Sequence, residues 1–376
     1  DGAYSAGNSS YPAAQLLIGS GTTFTDQGAA DPNGFKVLGG GSADVINQGT
    51  YQRNGLGTTY ARGLDNRGTL NVNAGVFALE SGTWLNTSSG QVNVGQAAEL
   101  RLANTTFTAG AIHNAGKVVV FGGDSRVQAS ASMSGQWQID RGSLFVEGQQ
   151  RISTLTINGG VLTGQGTLTV DTLDFNASNV TNPSFTTGAR LNVLGAARFD
   201  GNNVQRIQNS AQVQLSGNST WTAGNGRLEV DGAYSAGNSS YPAAQLLIGS
   251  GTTFTDQGAA DPNRFKVLGG GTATVVNNGT YVRGGLGTTE ARGLSNAGLV
   301  DLTQGTLAVN ETFTNTGTLN VRAGTVLQGL SGSLRNGGLL QGDGMVRTAT
   351  LRNALVNTGT VTPGGLGTAG HLQLDG

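Results

Sequence analysis

Apolar and polar residues alternate along most of the chain in runs of three to five residues, and the runs end at glycine or asparagine. Period two puts the apolar members on one face of an extended strand. Strands this short, with no helical segment between them, exclude a βαβ sheet. The runs share one motif: apolar, any, Asn, any, Gly, any, apolar, any, apolar. It is read at Leu64, Asn66, Gly68, Leu70, Val72 and at Ile112, Asn114, Gly116, Val118, Val120. It returns at Leu294, Asn296, Gly298, Val300, Leu302 and at Phe313, Asn315, Gly317, Leu319, Val321. Asn277, Asn296, Asn315, Asn336 and Asn357 succeed one another at intervals of 19, 19, 21 and 21 residues, the length of one coil. A second glycine comes seven residues after the first, as in Gly68 to Gly75 and Gly298 to Gly305. The pattern predicts an all-β, right-handed parallel β-helix (a β-solenoid) of about 20 residues per coil. Its corners are expected at Asn66, Gly68, Asn114, Gly116, Asn296, Gly298, Asn315, Gly317, Asn357 and Gly359. Asn and Gly suit corners because they adopt positive φ at least cost.

A longer repeat encloses the short one. Residues 1–33 recur unchanged as 231–263, and the similarity runs on through 62 and 292, an offset of 230 with eight differences over 62 positions. Gly34 against Arg264 and Tyr60 against Glu290 are among them. A solenoid tolerates such a duplication because each layer touches only its neighbours, so 1–376 reads as one continuous β-solenoid segment. Loops leaving the coils are expected at 26–33 and 256–263, where Asp-Pro-Asn breaks the alternation, and at 176–183, which ends in Asn-Pro.

Composition narrows the function classes. The 64 glycines and a charged fraction of 11% suit tight turns between short strands, and the 36% hydrophobic content argues against a disordered segment. Net charge is −1 with Lys and Arg scattered singly, so no basic stripe exists for nucleic acid. No apolar run approaches the roughly 18 residues of a membrane span. Cysteine is absent, which removes disulfides and thiolate chemistry. The chain starts at Asp1, so it reads as a segment of a longer protein with any signal peptide or anchor outside it.

From Leu340 to Leu374 the chain carries Leu340, Gly342, Gly344, Val346, Asn357, Gly359, Val361, Pro363, Gly364, Gly370, Leu372 and Leu374. This resembles the repeat ending in Val-x-Pro-Gly of autotransporter β-helical passengers and of filamentous-haemagglutinin-like exoproteins secreted by the two-partner route. Gly365, Leu366 and Gly367 depart from the Ser that often comes after Pro-Gly in those families. The resemblance implies an extracellular or outer-membrane-associated bacterial adhesin or fibre, not an enzyme. It also implies contact with a surface glycan or protein of a host or neighbouring cell, or homotypic contact between fibres, and an outer-membrane secretion partner lying outside this segment.

Candidate chemistry is sparse, and no cofactor or metal site is predicted. His113 and His371 sit singly beside corners. Gly365, Gly367 and Gly370 match the dinucleotide fingerprint only by letter, with no buried strand of useful length before them and with Leu372 and Leu374 continuing a strand, not a helix. The catalytic alternative is a polysaccharide lyase or hydrolase, or else a glycan-binding passenger. Its carboxylates would come from Asp140, Glu147, Asp171 and Asp174, although Asp171 and Asp174 point to opposite sides of a strand unless a corner intervenes. Tyr4 and Tyr11, with copies Tyr234 and Tyr241, could contact a sugar or partner. An ice- or crystal-binding face would need Thr-x-Thr at one position of successive coils; Thr23, Thr25, Thr106, Thr108, Thr167 and Thr169 do not recur in that way.

Overall fold

A computed structural model describes the chain except for residues 1–3, 7–8, 12–14, 29–34, 37–43, 82–84, 88, 178–183, 186–187, 202–203, 224–226, 232–233, 237–238, 242, 259–264, 269–274, 292, 310–312, 332, 349–354, 366–368 and 376. The fold is an all-β parallel solenoid of about 20 residues per turn, with no helix among the described residues. It comprises two compact units, Asp1–Thr169 and Val170–Gly376.

In the first unit each coil contributes a short strand to each of three parallel faces. The first face includes Gln15–Ile18, Asp44–Asn47 and Leu64–Asn66; the second Thr23–Asp26, Thr50–Arg53 and Thr69–Val72; the third Thr58–Arg62, Gly75–Ser81 and Ala98–Ala103. The second unit is built the same way, for example from Val275–Asn277, Thr280–Arg283 and Thr288–Ala291. Pairing is in register, so equivalent side chains form columns. Phe77, Leu100, Val118, Trp137 and Leu155 make one column, and Tyr281, Val300, Leu319 and Leu340 another, all buried. Aromatic rings meet both along and between columns. Phe24 and Tyr51 share a column at a centroid distance of 5.2 Å, and Phe77 on the third face lies 5.3 Å from Tyr51; Phe175 with Phe199 and Phe254 with Tyr281 share columns, and these two pairs and the Phe199–Phe254 contact between them are each at 5.9 Å.

The Asn motif marks a corner but not a fixed coil position. Asn66 ends a strand of the first face, whereas Asn114 ends a strand of the second, Gly110–Asn114, in register with Val94. Leu70 and Val118 consequently belong to different columns, one on the second face and one on the third. Where Asn residues do stack, they hydrogen-bond from coil to coil. Asn47 Nδ2 donates to Asn66 Oδ1 and Asn66 Nδ2 to Asn86 Oδ1, each at 2.7 Å. In the second unit the ladder runs through Asn277, Asn296, Asn315, Asn336 and Asn357 at 2.6–2.7 Å. The same amides also donate to backbone carbonyls of a later strand, as Asn277 does to Leu299 O at 2.8 Å.

The corner glycines serve two different purposes. Positive φ, expected at the motif glycine, occurs instead at the second one: 63° at Gly75, 67° at Gly305 and 76° at Gly324. None of the ladder asparagines has positive φ among the described residues. Gly68, Gly298, Gly317 and Gly359 are required for a steric reason. A Cβ on Gly317 would run into the carbonyl oxygen of Gly298 in the coil before, and Gly298 stands in the same relation to Gly279. That close approach lets the next residue bond downwards: Thr318 N donates to Gly298 O and Thr360 N to Gly338 O, each at 2.8 Å.

Both duplicated blocks add one antiparallel hairpin to this parallel pattern. Tyr4–Ala6 pairs with Ser9–Tyr11, and Tyr234–Ala236 with Ser239–Tyr241, in the same register. In the second unit Ala244 N donates to Asp231 O at 2.8 Å, closing the hairpin at its base. Of the expected loops at 26–33 and 256–263, residues 29–33 and 259–263 lie outside the described residues. Asp26 and Asp256 are not loop residues; each ends a strand and is buried. At 176–183, Asn176 and Ala177 close the strand Thr167–Ala177 and the remainder lies outside the described residues.

The two glycine classes should respond differently to an added methyl. Gly317→Ala forces a backbone collision between coils and should cost more than about 3 kcal/mol. Gly324→Ala, with open space around it, should cost only the left-handed penalty of about 1–2 kcal/mol. Chemical denaturation of the two variants checks the order.

Candidate functional site

Of the carboxylates of the catalytic alternative, Asp140 and Glu147 are engaged locally. Asp140 Oδ1 accepts hydrogen bonds from Gln138 Nε2 at 2.5 Å and Asn158 Nδ2 at 2.9 Å, and Glu147 pairs with Arg126 at 2.7 Å. Asp171 and Asp174 share the strand Thr167–Ala177. Val170 and Leu173 are buried while Asp171, Thr172 and Asp174 are not, so the alternation breaks between them and both carboxylates lie outside the core. His113 is exposed on the outer side of Gly110–Asn114, and His371 is exposed with its backbone N–H on Asp343 Oδ1 at 3.0 Å. Of the fingerprint glycines, Gly367 lies outside the described residues, and Gly370 leads into the strand Gln373–Asp375. The described residues hold no group of three or more His, Asp or Glu placed to bind a metal. The side chains of Tyr4, Tyr11, Tyr234 and Tyr241 lie outside the described residues.

The most deeply buried charges come from the duplicated block. Arg53 and Arg283 have fully buried side chains, although the chain is poor in charge. Each lies in the column above an aspartate, Asp26 or Asp256. Arg53 Nη1 reaches Asp26 Oδ1 at 3.2 Å and Gly28 O at 3.1 Å, and Nη2 reaches Gly57 O at 2.6 Å. The other carboxylate oxygen of Asp26 accepts from Tyr51 Oη at 3.0 Å and Thr59 Oγ1 at 2.5 Å. The copy repeats it: Tyr281 and Thr289 each donate to Asp256 Oδ2 at 2.6 Å, and Arg283 binds Asp256, Gly258 O and Gly287 O. Burial above all, then the adjacent carboxylate, pushes the Tyr51 and Tyr281 hydroxyls far above their ordinary range, so both remain donors. The arginines thereby tie two corners together, and Leu56 and Leu286 at those corners are 82% exposed. The sequence pattern alone puts Asp26 at the start of a loop. The signal that points inward is the run Tyr51-x-Arg53, whose period puts Arg on the same side as a buried Tyr.

A second acidic group lies in Arg227–Asp231. Glu229 is buried and bonded by Arg206 at 2.6 Å, with Arg227 at 3.7 Å. Asp231 is 7% exposed, and its Oδ1 lacks a hydrogen-bond partner. Burial pushes the Asp231 carboxyl up to about 6; Arg206 opposes this and Glu229 adds to it.

The second face of the first unit has a different character. Over four successive coils its outward positions form two columns, Thr23, Thr50, Thr69 and Gln91, then Thr25, Gln52, Asn71 and Asn93, and the fifth coil continues them with Ala111 and His113. No Lys, Arg, Asp or Glu occurs in either. Asn93 Nδ2 donates to Asn71 Oδ1 at 2.8 Å, and among the described residues the other six of the eight in those four coils make no side-chain hydrogen bond. Thr-x-Thr stops after Thr23 and Thr25, which removes the repeat an ice-binding face would need. Comparison with known proteins finds no family model, curated protein or solved structure that matches this chain.

Two variants probe these polar groups. Asp256→Ala strands Arg283 in the core and should cost about 3–5 kcal/mol, while Asp256→Leu/Arg283→Leu should cost much less, because no charge is then left buried. Urea unfolding of both provides the comparison. Asp231 has a raised folded pKa, so folding retains a proton that the unfolded carboxyl loses, and stability falls as pH rises from about 4 to about 6. Asp231→Asn should flatten that slope and be more stable at pH 7 by about 1–2 kcal/mol, the full linkage value being reduced by residual solvation. Melting curves across this pH window read it directly.

Proposed function

We propose that this chain is a structural and adhesive shaft of a secreted or surface-anchored bacterial exoprotein, located outside the cell or at the outer membrane. Its partners would be a glycan or protein on a host or neighbouring cell, or another fibre, with a secretion partner in the outer membrane and no role for nucleic acid. The observation that carries this reading is the uncharged double column of Thr, Gln and Asn on one face. Shallow contacts of this kind gain strength through number. The local engagement of Asp140 and Glu147 supports it further, since a catalyst needs carboxyl groups whose acidities are driven apart at a shared substrate position.

A second reading, a β-helical polysaccharide lyase or hydrolase, draws on one observation: Glu229 is held by arginine while Asp231 beside it is pushed up to about 6 by burial. The plainer account of that pair is the root of the hairpin that Asp231 closes through its carbonyl. Two assays separate the readings. The adhesive reading expects binding to cells or surfaces that strengthens with the number of linked copies, and no release of reducing or unsaturated ends from a broad polysaccharide panel. Cleavage that disappears in Asp140→Asn/Asp171→Asn/Asp174→Asn, or in Asp231→Asn, would establish the enzyme instead.

A further inference from the structure

We infer that the second face of the first unit binds an uncharged, extended polysaccharide lying along the direction of coil stacking; this partner class rests on the adhesive reading above. In four successive coils, before Ala111 and His113 take over the columns, its eight outward residues all carry a hydroxyl or a carboxamide, groups that donate and accept hydrogen bonds at once. Six of them spend neither capacity on another described residue. Strand stacking repeats the set about every 4.8 Å, and the two columns lie two residues apart on each strand, about 7 Å. A polymer with hydroxyls along an extended backbone offers the same mixture of donors and acceptors in a repeating line. A polyanion would look for Lys or Arg, and there is none in these columns. A protein partner would look for aromatic or Arg anchors, and there is none of those either.

The second unit supplies an internal contrast, because the duplication gives it the same starting positions. Thr253, Thr255 and Thr280 repeat Thr23, Thr25 and Thr50, but Gln52 has become Val282. Beyond the copy the columns continue with Leu299 and with Asp301, which pairs with Arg322 at 2.6 Å. The neutral hydrogen-bonding surface therefore persists only in the first unit.

Affinity electrophoresis of the full chain in gels containing galactomannan or hydroxyethylcellulose tests this, with alginate and dextran sulfate as charged comparators. Retardation by a neutral polymer, insensitive to salt, is expected. Thr50→Glu/Gln91→Glu places two carboxylates two coils apart on the face and should weaken it at least about tenfold, a loss of 1.4 kcal/mol. Asn71→Ala/Gln52→Ala, which adds no charge, should also weaken it, whereas Thr318→Glu in the second unit should not. Melting curves confirm that each variant is folded. The assignment is overturned by no retardation in either neutral polymer, by retardation only in the charged gels, or by equal retardation of the face variants and the parent. Cell binding that survives Thr50→Glu/Gln91→Glu also overturns it and leaves the adhesive reading standing. Absence of any cell binding by the unaltered chain removes that reading as well.

Discussion

In-register parallel stacking is the constraint on which everything else depends. Each side chain has its counterpart directly above and directly below at the strand spacing, so a residue is acceptable only if it suits both. Aliphatic and aromatic columns meet this by contact alone. Polar residues meet it when they can donate to one neighbour and accept from the other, which the carboxamide of asparagine does. Arginine and aspartate meet it as a vertical pair, and Asp26 with Arg53 and Asp256 with Arg283 are arranged in that way.

The stacking rule also decides which glycines matter. A coil that must lie against the corner below leaves no room for a Cβ where its backbone amide bonds downward, so Gly298 and Gly317 are fixed by contact. Gly305 and Gly324 are fixed by chain direction, since the backbone there turns through positive φ. The same residue type thus reports two requirements, and only the structure separates them.

Fold class was legible from the alternation and from the 19- and 21-residue spacing of Asn277 to Asn357, because column stacking leaves its period in the sequence. The face on which a motif falls was not. Asn66 and Asn114 have identical local patterns, yet they end strands of different faces, since coil length drifts and the motif records only a corner. The buried charges were also hidden: Asp26 looks like a loop residue beside Asp-Pro-Asn, and its partners Tyr51, Arg53 and Thr59 are 25 to 33 residues away. Spacing alone does not say which way Asp171 and Asp174 point, and the break in alternation after Asp171 resolves them. Of the candidate site, Thr23 and Thr25 were visible as a Thr-x-Thr pair, but Thr50 and Thr69 and their alignment with Gln and Asn into uncharged columns appeared only once the register was known.

The asparagine ladder has a direction, and each duplicated block contains its beginning. Asn47 Oδ1 and Asn277 Oδ1 have no donor, because the residue below is Ile18 in one unit and Ile248 in the other. Above them every amide points the same way. The change from aliphatic column to amide column therefore lies inside the copied segment, whose lower edge offers only hydrocarbon at this position. Inserted above a coil ending in Leu215, as the second copy is, it requires no matching amide from the layer beneath. The block is a self-starting module: it brings the seam at which one kind of interior gives way to another, and a gene that copies it copies a finished junction.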